Sequence, residues 1–321
     1  MAGRRGIIDT ITAGSSGRIC LLGDNADLIE KPAIAAAISA YMTITLTKRK
    51  DDRVVLTGRD IGFQEEFRLG DSLTFTSPLK YFKAVFQRLK DKVDTGFEAQ
   101  ISSQIPISAG LSSSAALCIA SIRVLGRAYG IPFTPGEIAE LAFQIESGDL
   151  KVECGRMDQY AIAFGGITYI CTGADAGVEK LPGDSLPVVV ADTQEQHDTK
   201  ELQIWLRQRI ESKEKLLLDS LGRVVDIVEQ GRKVLLEGDL DTLGLLMNKQ
   251  QAEEKLMGTS TDRLENFCTA AREAGALGAK QMGAGGGGCM IALCPREGLE
   301  SVKSALESLG APAWAFKIVE D

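Results

Sequence analysis

An α+β fold in two domains is what this sequence predicts, and three observations carry that reading. Short β-branched runs and longer runs with helical spacing are mixed without a regular βαβ repeat. The 321 residues are enough for roughly two domains of about 150 residues each. A polar, glycine-containing connector from Gly173 to Gly183 separates two strand-like runs, so the expected domains are 1–175 and 176–321.

The first third reads as strands. Arg18 to Leu22 is a short apolar run stopped by Gly23-Asp24-Asn25, and Tyr41 to Leu46 is β-branched with alternation. Arg53 to Thr57 and Gln64 to Arg68 continue the pattern. From Leu79 to Lys92, Tyr81, Phe82, Val85, Phe86 and Leu89 recur at helical spacing. Phe97 to Ser103 alternates again, and a small-residue helix opens at Ser112. Thr134-Pro-Gly-Glu137 starts another helix, with threonine at the cap, proline in the first turn and glutamate three residues on. Gly165 to Cys171 and Leu186 to Ala191 read as strands, and two or three long helices follow between Lys200 and Glu273. The strand Cys289 to Leu293, an amphipathic helix from Glu297 to Leu309 and a strand from Ala313 to Val319 complete the order.

Composition narrows the function. Lysine plus arginine is 36 and aspartate plus glutamate 44, a net charge of −8, which gives no general attraction for nucleic acid or an anionic membrane. Phosphate binding, if present, must be local, through main-chain amides and a few placed cations. The seven cysteines (Cys20, Cys118, Cys154, Cys171, Cys268, Cys289, Cys294) form no CxxC pair and read as free thiols in a reducing compartment. His197 is the only histidine, which excludes a His-rich metal site. The residues after Arg4 and Arg5 lack the apolar core of a secretory signal, and Ala33 to Leu46 is too short and polar to span a bilayer. The expectation is a cytoplasmic protein.

Three loops could carry chemistry. In Pro106-Ile-Ser108-Ala109-Gly110-Leu111-Ser112-Ser113-Ser114-Ala115-Ala116 a glycine turn leads into a helix opened by three serines. Unpaired amides at a helix start favour an anion, small side chains let a phosphate approach, and serine hydroxyls can bond phosphate or ligate Mg²⁺. No Gly-Lys-Ser/Thr follows, so this is not a Walker A loop. Five glycines between Gly283 and Gly288 formally contain GxGxxG. A strand follows them late in the chain, which is the wrong context for a dinucleotide fingerprint, and they suggest a backbone that touches something closely. In Glu153-Cys154-Gly155-Arg156-Met157-Asp158, Asp158 lies between a glycine turn and an apolar stretch, where an aspartate is usually a helix cap. Buried there, it would need a partner such as arginine. Arg18, with Asp24, Asn25 and Asp27 beyond the next strand, is a fourth polar set.

Taken in this order the loops resemble the GHMP family of small-molecule kinases over essentially the whole chain. Pro106 to Ala116 matches the family's phosphate motif, Lys280 to Cys289 its C-terminal glycine motif, and Gly17 to Asp27 with Lys31 to Ala37 its N-terminal substrate motif. The resemblance implies ATP-dependent phosphorylation of a small alcohol. It implies a ribosomal-protein-like N-terminal domain with a left-handed βαβ unit and a ferredoxin-like C-terminal domain. It places the triphosphate along Gly110 to Ser114 with Gly285 and Gly286 close by, and Mg²⁺ on Ser114 and Glu146. Asp158 would be the general base, and Arg18 would stabilise the alkoxide and keep Asp158 ionised. Asp24, Asn25 and Asp27 would meet the substrate. Arg18, the Cys154 to Gln159 stretch and the Glu146-to-Asp158 spacing look like galactokinase and its sugar-kinase relatives. Gly283 to Cys289 and Lys31 to Ala37 look closer to mevalonate kinase. The expected acceptor is a small sugar or sugar acid, with mevalonate as the alternative and a non-catalytic sugar and ATP sensor as a third reading. A homodimer is compatible with the resemblance, and His197 is given no role.

Overall fold

The computed structural model describes residues 9–106, 110–173, 176–183, 186–195 and 199–320. The chain opens with the long hairpin β1 (Thr10–Leu22) and β2 (Ala33–Lys48). Both strands are longer than the sequence pattern predicts. The serine, threonine and glycine residues of the first half of β1 pair with Tyr41–Thr47, and Thr10 and Thr12 bond Thr47 and Thr45 through their hydroxyls. The alanine run Ala33–Ala37, which has no β propensity of its own, is fully buried as strand. Its small side chains let helices pack closely on β2.

The rest of the first sheet is β3 (Arg53–Gly58), β4 (Phe63–Arg68), β5 (Phe97–Ser103), β6 (Ile167–Cys171) and β7 (Gly177–Leu181). The order is β4-β3-β5-β2-β6-β7, with β1 on β2, and only β3 and β5 are parallel. Helices α1 (Lys80–Leu89), α2 (Ser113–Tyr129), α3 (Pro135–Phe143) and α4 (Met157–Phe164) belong to this part. Phe82, Phe86 and Phe97 join α1 to β5 in the core. The predicted capping box at α3 is present, since Thr134 and Glu137 bond each other's backbone amides.

The second sheet has β8 (Val188–Asp192), β9 (Gly278–Gln281), β10 (Cys289–Leu293) and β11 (Ala313–Phe316), all antiparallel, in the order β11-β8-β10-β9. Helices α5 (Thr199–Glu211), α6 (Lys215–Glu237), α7 (Leu240–Met257) and α8 (Asp262–Glu273) separate β8 from β9, and α9 (Leu299–Ser308) separates β10 from β11. That is the ferredoxin-like arrangement. The β6–β7 hairpin continues the first sheet past residue 175 to Leu181, and the second begins at Val188.

The two parts are firmly joined. Gly231 on α6 lies so close to Leu22 and Ile34 that a Cβ there would come within 2.2 Å of the Leu22 side chain. The C-terminal residues return to the first sheet, with Ile318 bridging Ile38 and Glu320 bridging Gly165. Among the described residues no helix is long and apolar enough to cross a membrane. All seven cysteines are free, and five of them are buried.

Candidate active site

The end of β1, the start of α2, the start of α4 and the β9–β10 loop meet at one cleft. At the start of α2, Gly110 (φ 64°) and Ser112 (φ 59°) both take left-handed backbone, which turns the chain sharply into the helix. The amides of the first turn then lack intrahelical partners. Pro106, Gly110, Leu111, Ser112, Ser113 and Ser114 line a pocket of about 230 Å³ together with Arg18 and Asp158. The helix behind this cradle continues with buried Ala115. Ser108 and Ala109 lie outside the described residues, as does His197.

Asp158 sits in the first turn of α4, at the edge of this cradle. Arg18 Nε donates to Asp158 Oδ1 at 2.7 Å, and Arg18 also donates to the Gly110 carbonyl at 2.5 Å. The Ser112 hydroxyl donates to Asp158 Oδ2. Arg18 is anchored in turn, because its amide bonds the Leu111 carbonyl. A buried guanidinium (side chain 7% exposed) thus fixes a half-exposed carboxylate (29%) against the phosphate cradle. The remaining exposure of Asp158 faces cavities on both sides.

Glu146 projects from a π-helical turn, Gln144–Asp149, that follows α3. Such turns shift the helical register by one residue and recur at functional sites. Its carboxylate is buried and accepts a hydrogen bond from Gln159 Nε2, and Ser114 lines the same cavity beside it. Burial, with the nearby Asp158 charge, pushes Glu146 up to about 7 against the lowering effect of Gln159, Ser114 and Arg18. A hydroxyl and a carboxylate side by side, short of positive charge, fit a Mg²⁺ ion that keeps several waters and takes its remaining ligands from phosphate.

Asp27 lines a cavity of about 460 Å³ together with Arg18, Glu146, Glu153, Asp158 and Gln203 among others. Burial, followed by the charges of Asp158 and Asp24, pushes Asp27 up to about 6. A Cβ on residue 155 would come within 2.4 Å of its carboxylate, so the glycine leaves Asp27 room to hold this position. Beyond Ser113 and Ser114 lies a separate, more apolar cavity of about 380 Å³, walled by Met42, Ile61, Pro78, Leu79, Tyr81 and Ile105 among others. Sequence reading missed it, because its walls come from five separate stretches and Tyr81 reads simply as one face of a helix.

Asp24 and Asn25 take a different place. Asp24 is sealed from solvent, with Oδ2 on Lys280 Nζ and Oδ1 accepting from the Gly283 amide at 2.6 Å. Lys280 Nζ also reaches the Cys20 and Gln281 carbonyls. Asn25 donates to Glu254 at 3.0 Å. Gly286 donates to the Thr259 carbonyl at 2.7 Å, and Gly285 packs so tightly on that carbonyl that a Cβ would approach it to 2.2 Å. These contacts hold Gly285 and Gly286 against the α7–α8 turn, while Gly283, Ala284 and Gly288 line the cleft. Asp24, Asn25 and the glycine pair therefore fasten the loop.

Comparison with known proteins decides the family. The GHMP kinases N terminal domain model matches residues 80–166, and the GHMP kinases C terminal model matches residues 232–311. The chain belongs to the GHMP kinases. Kinases of this family use ATP with Mg²⁺, and this member is a phosphotransferase acting on a small molecule. It is 34% identical to a mevalonate kinase of Thermococcus sibiricus, with 96% of each chain covered. It is 26% identical to a D-glycero-alpha-D-manno-heptose 7-phosphate kinase of Campylobacter jejuni over 80% of this chain and 79% of the other. The GHMP fold is shared with the Methanococcus jannaschii mevalonate kinase structure (TM-score 0.84, 24% identity, 99% of this chain and 100% of that one). It is shared equally with the Lactococcus lactis galactokinase–galactose complex (TM-score 0.82, 24% identity, 97% and 94% covered).

Proposed function

We propose that this GHMP kinase transfers the terminal phosphoryl group of ATP to a hydroxyl of a small sugar or sugar acid, with Asp158 as general base. The observation that carries the reading is the placement of Asp158, bonded to Arg18 and Ser112 where the cradle meets the cleft. An acceptor hydroxyl entering from the cleft gives its proton to Asp158 while its oxygen faces the cradle. Arg18 holds the carboxylate in place and offers positive charge to the developing alkoxide. The amides of Ser113, Ser114 and Ala115 receive phosphate oxygens, and the adjoining apolar cavity has the size and character for a purine base. Ser114 and Glu146 would hold Mg²⁺, which when bound neutralises phosphate charge. Positioning and charge neutralisation supply most of the acceleration in such transfers.

The charges favour a polyol as acceptor. Asp27, Glu146, Glu153 and Asp158 line the cavity against Arg18, whose donors already serve Asp158 and Gly110. Hydroxyls donate well to such a wall, whereas a free carboxylate needs a cation. Arg207 supplies one at the rim, 3.1 Å from Glu153 and one helical turn beyond Gln203, which extends the reading to sugar acids. The 34% identity to mevalonate kinases supports the alternative acceptor, mevalonate. An ADP-release assay over hexoses, uronic acids and (R)-mevalonate separates the readings. The expected result is the highest kcat/KM on a sugar or uronic acid. A higher value on mevalonate than on every sugar overturns the sugar reading, and ATP binding without any turnover favours the sensor.

A further inference from the structure

Gln159 is unlike every other polar group in the cleft. It follows Asp158 in α4, is 1% exposed, and lines the cavity. Its amide nitrogen donates to Glu146 Oε2 and lies 4.0 Å from the Cys154 sulfur. Its amide oxygen, Oε1, is buried and has no hydrogen-bond partner among the described residues. With Glu146 ionised, as a cation ligand must be, reversing the amide would set an oxygen against its carboxylate. The donor end is therefore fixed by Glu146, and the acceptor end is left unpaired on a side chain that lines the cavity. Buried acceptors are seldom left without a donor, so one arrives with what the cleft binds.

We infer that Gln159 is a positioning residue of the phosphoryl transfer: its nitrogen orients Glu146, and its oxygen accepts an O–H from the cleft's contents. This inference rests on the kinase reading above. Two sources present such a donor, a water on the divalent cation held by Glu146 or a hydroxyl of the acceptor. The first makes Gln159 an outer support of the metal ligand, a role in which replacements commonly cost about 10–100-fold in metal affinity or activity. The second makes it a determinant of acceptor affinity. The sequence holds a visible cue, a glutamine among apolar neighbours (Tyr160 to Phe164) directly after the aspartate.

The test is Gln159→Met, which keeps length and volume while removing both ends of the amide. Mn²⁺ binding to the protein with ADP, read by electron paramagnetic resonance, reports the first source and needs no turnover. KM for D-galactose, D-glucuronate and (R)-mevalonate, whichever turns over, reports the second. A Mn²⁺ dissociation constant raised about tenfold with acceptor KM unchanged places Gln159 on the cation side, as the support of Glu146 and of a water on the ion. A raised acceptor KM with unchanged Mn²⁺ affinity assigns it to an acceptor hydroxyl. Changes in both below threefold, in a protein with wild-type Tm, overturn the inference. If Gln159→Met does not fold, Gln159→Asn, whose amide is one methylene too short to serve both ends, takes the same readouts. A wild-type protein that turns over none of the three acceptors fails the sugar and mevalonate readings together, yet the Mn²⁺ arm still judges Gln159.

Discussion

Two acidic clusters less than a domain apart use carboxylates in opposite ways. In the cleft, Asp27, Glu146 and Asp158 line one cavity with a single guanidinium, Arg18, which pairs with Asp158 alone. In the fastening beneath the glycine loop, Asp24 and Glu254 are dry, and every oxygen of both has a donor. Asp24 has Lys280, Gln250 and the Gly283 amide; Glu254 has Asn25, Gln250, Thr259 and Gln281. Burial, with the Asp24 charge, pushes Glu254 up to about 7 against its hydrogen bonds and Lys280. The cleft is short of positive charge and of hydrogen-bond donors, so it is built to receive both. In the fastening both carboxylates are already fully paired. Its work is to tie the β1 end to the β9–β10 loop across 256 residues of chain, so that both walls of the cleft keep one spacing.

If that contrast is right, substitutions in the fastening change stability and substitutions in the cleft change chemistry. The largest effect is expected for Lys280→Met, which strands the Asp24 charge and should cost about 3–5 kcal/mol in denaturant unfolding. The double variant Asp24→Leu with Lys280→Met should recover much of that loss, since a buried pair replaced as a unit is often near neutral. Glu146→Gln should do the reverse. Tm at pH 8 should hold or rise, while kcat at fixed Mg²⁺ falls at least about a hundredfold, as expected when several kcal/mol of metal-assisted charge stabilisation is lost. Gly155→Ala should displace Asp27 and raise acceptor KM several-fold with little change in nucleotide KM, measured by varying each substrate in turn.

The smallest effect concerns pH. Glu254 holds its proton up to about 7 in the folded chain, whereas the unfolded chain releases it near the ordinary 4.5. Between those values the unfolded state binds fewer protons, so stability falls as pH rises through the window and levels off above it. Glu146 and Asp27 act with the same sign. Glu254→Gln should therefore flatten, without abolishing, the decline in Tm between pH 5 and 8. An unchanged slope would move Glu254 out of the account.

How much of this was legible in the sequence follows from how local each feature is. The cradle at Gly110 to Ser114 could be read directly, because a backbone that binds phosphate demands small residues in a row. Arg18, Asp158, Ser114 and Glu146 were named through family resemblance, and the structure brings the four together. The capping box at Thr134 was readable for the same local reason. The first half of β1 was not, since Ser15 and Ser16 are buried by a partner strand and by α2 that no short window contains. The buried pairing of Asp24 with Lys280 was not readable, because the lysine lies at the far end of the chain. The short strand β7 was hidden in a connector whose polar residues stand at a sheet edge.

The central claim is that one carboxylate, seated on Arg18 at the mouth of the α2 cradle, takes the acceptor proton. Asp158→Asn, compared with wild type by single-turnover phosphoryl transfer and by calorimetric ADP binding, tests it most directly. The account predicts a transfer rate lower by about 10²–10⁴-fold with nucleotide affinity within a few-fold of wild type. A variant that keeps more than about a tenth of the wild-type rate contradicts it, because general-base catalysis of ordinary size would then have no part in the reaction.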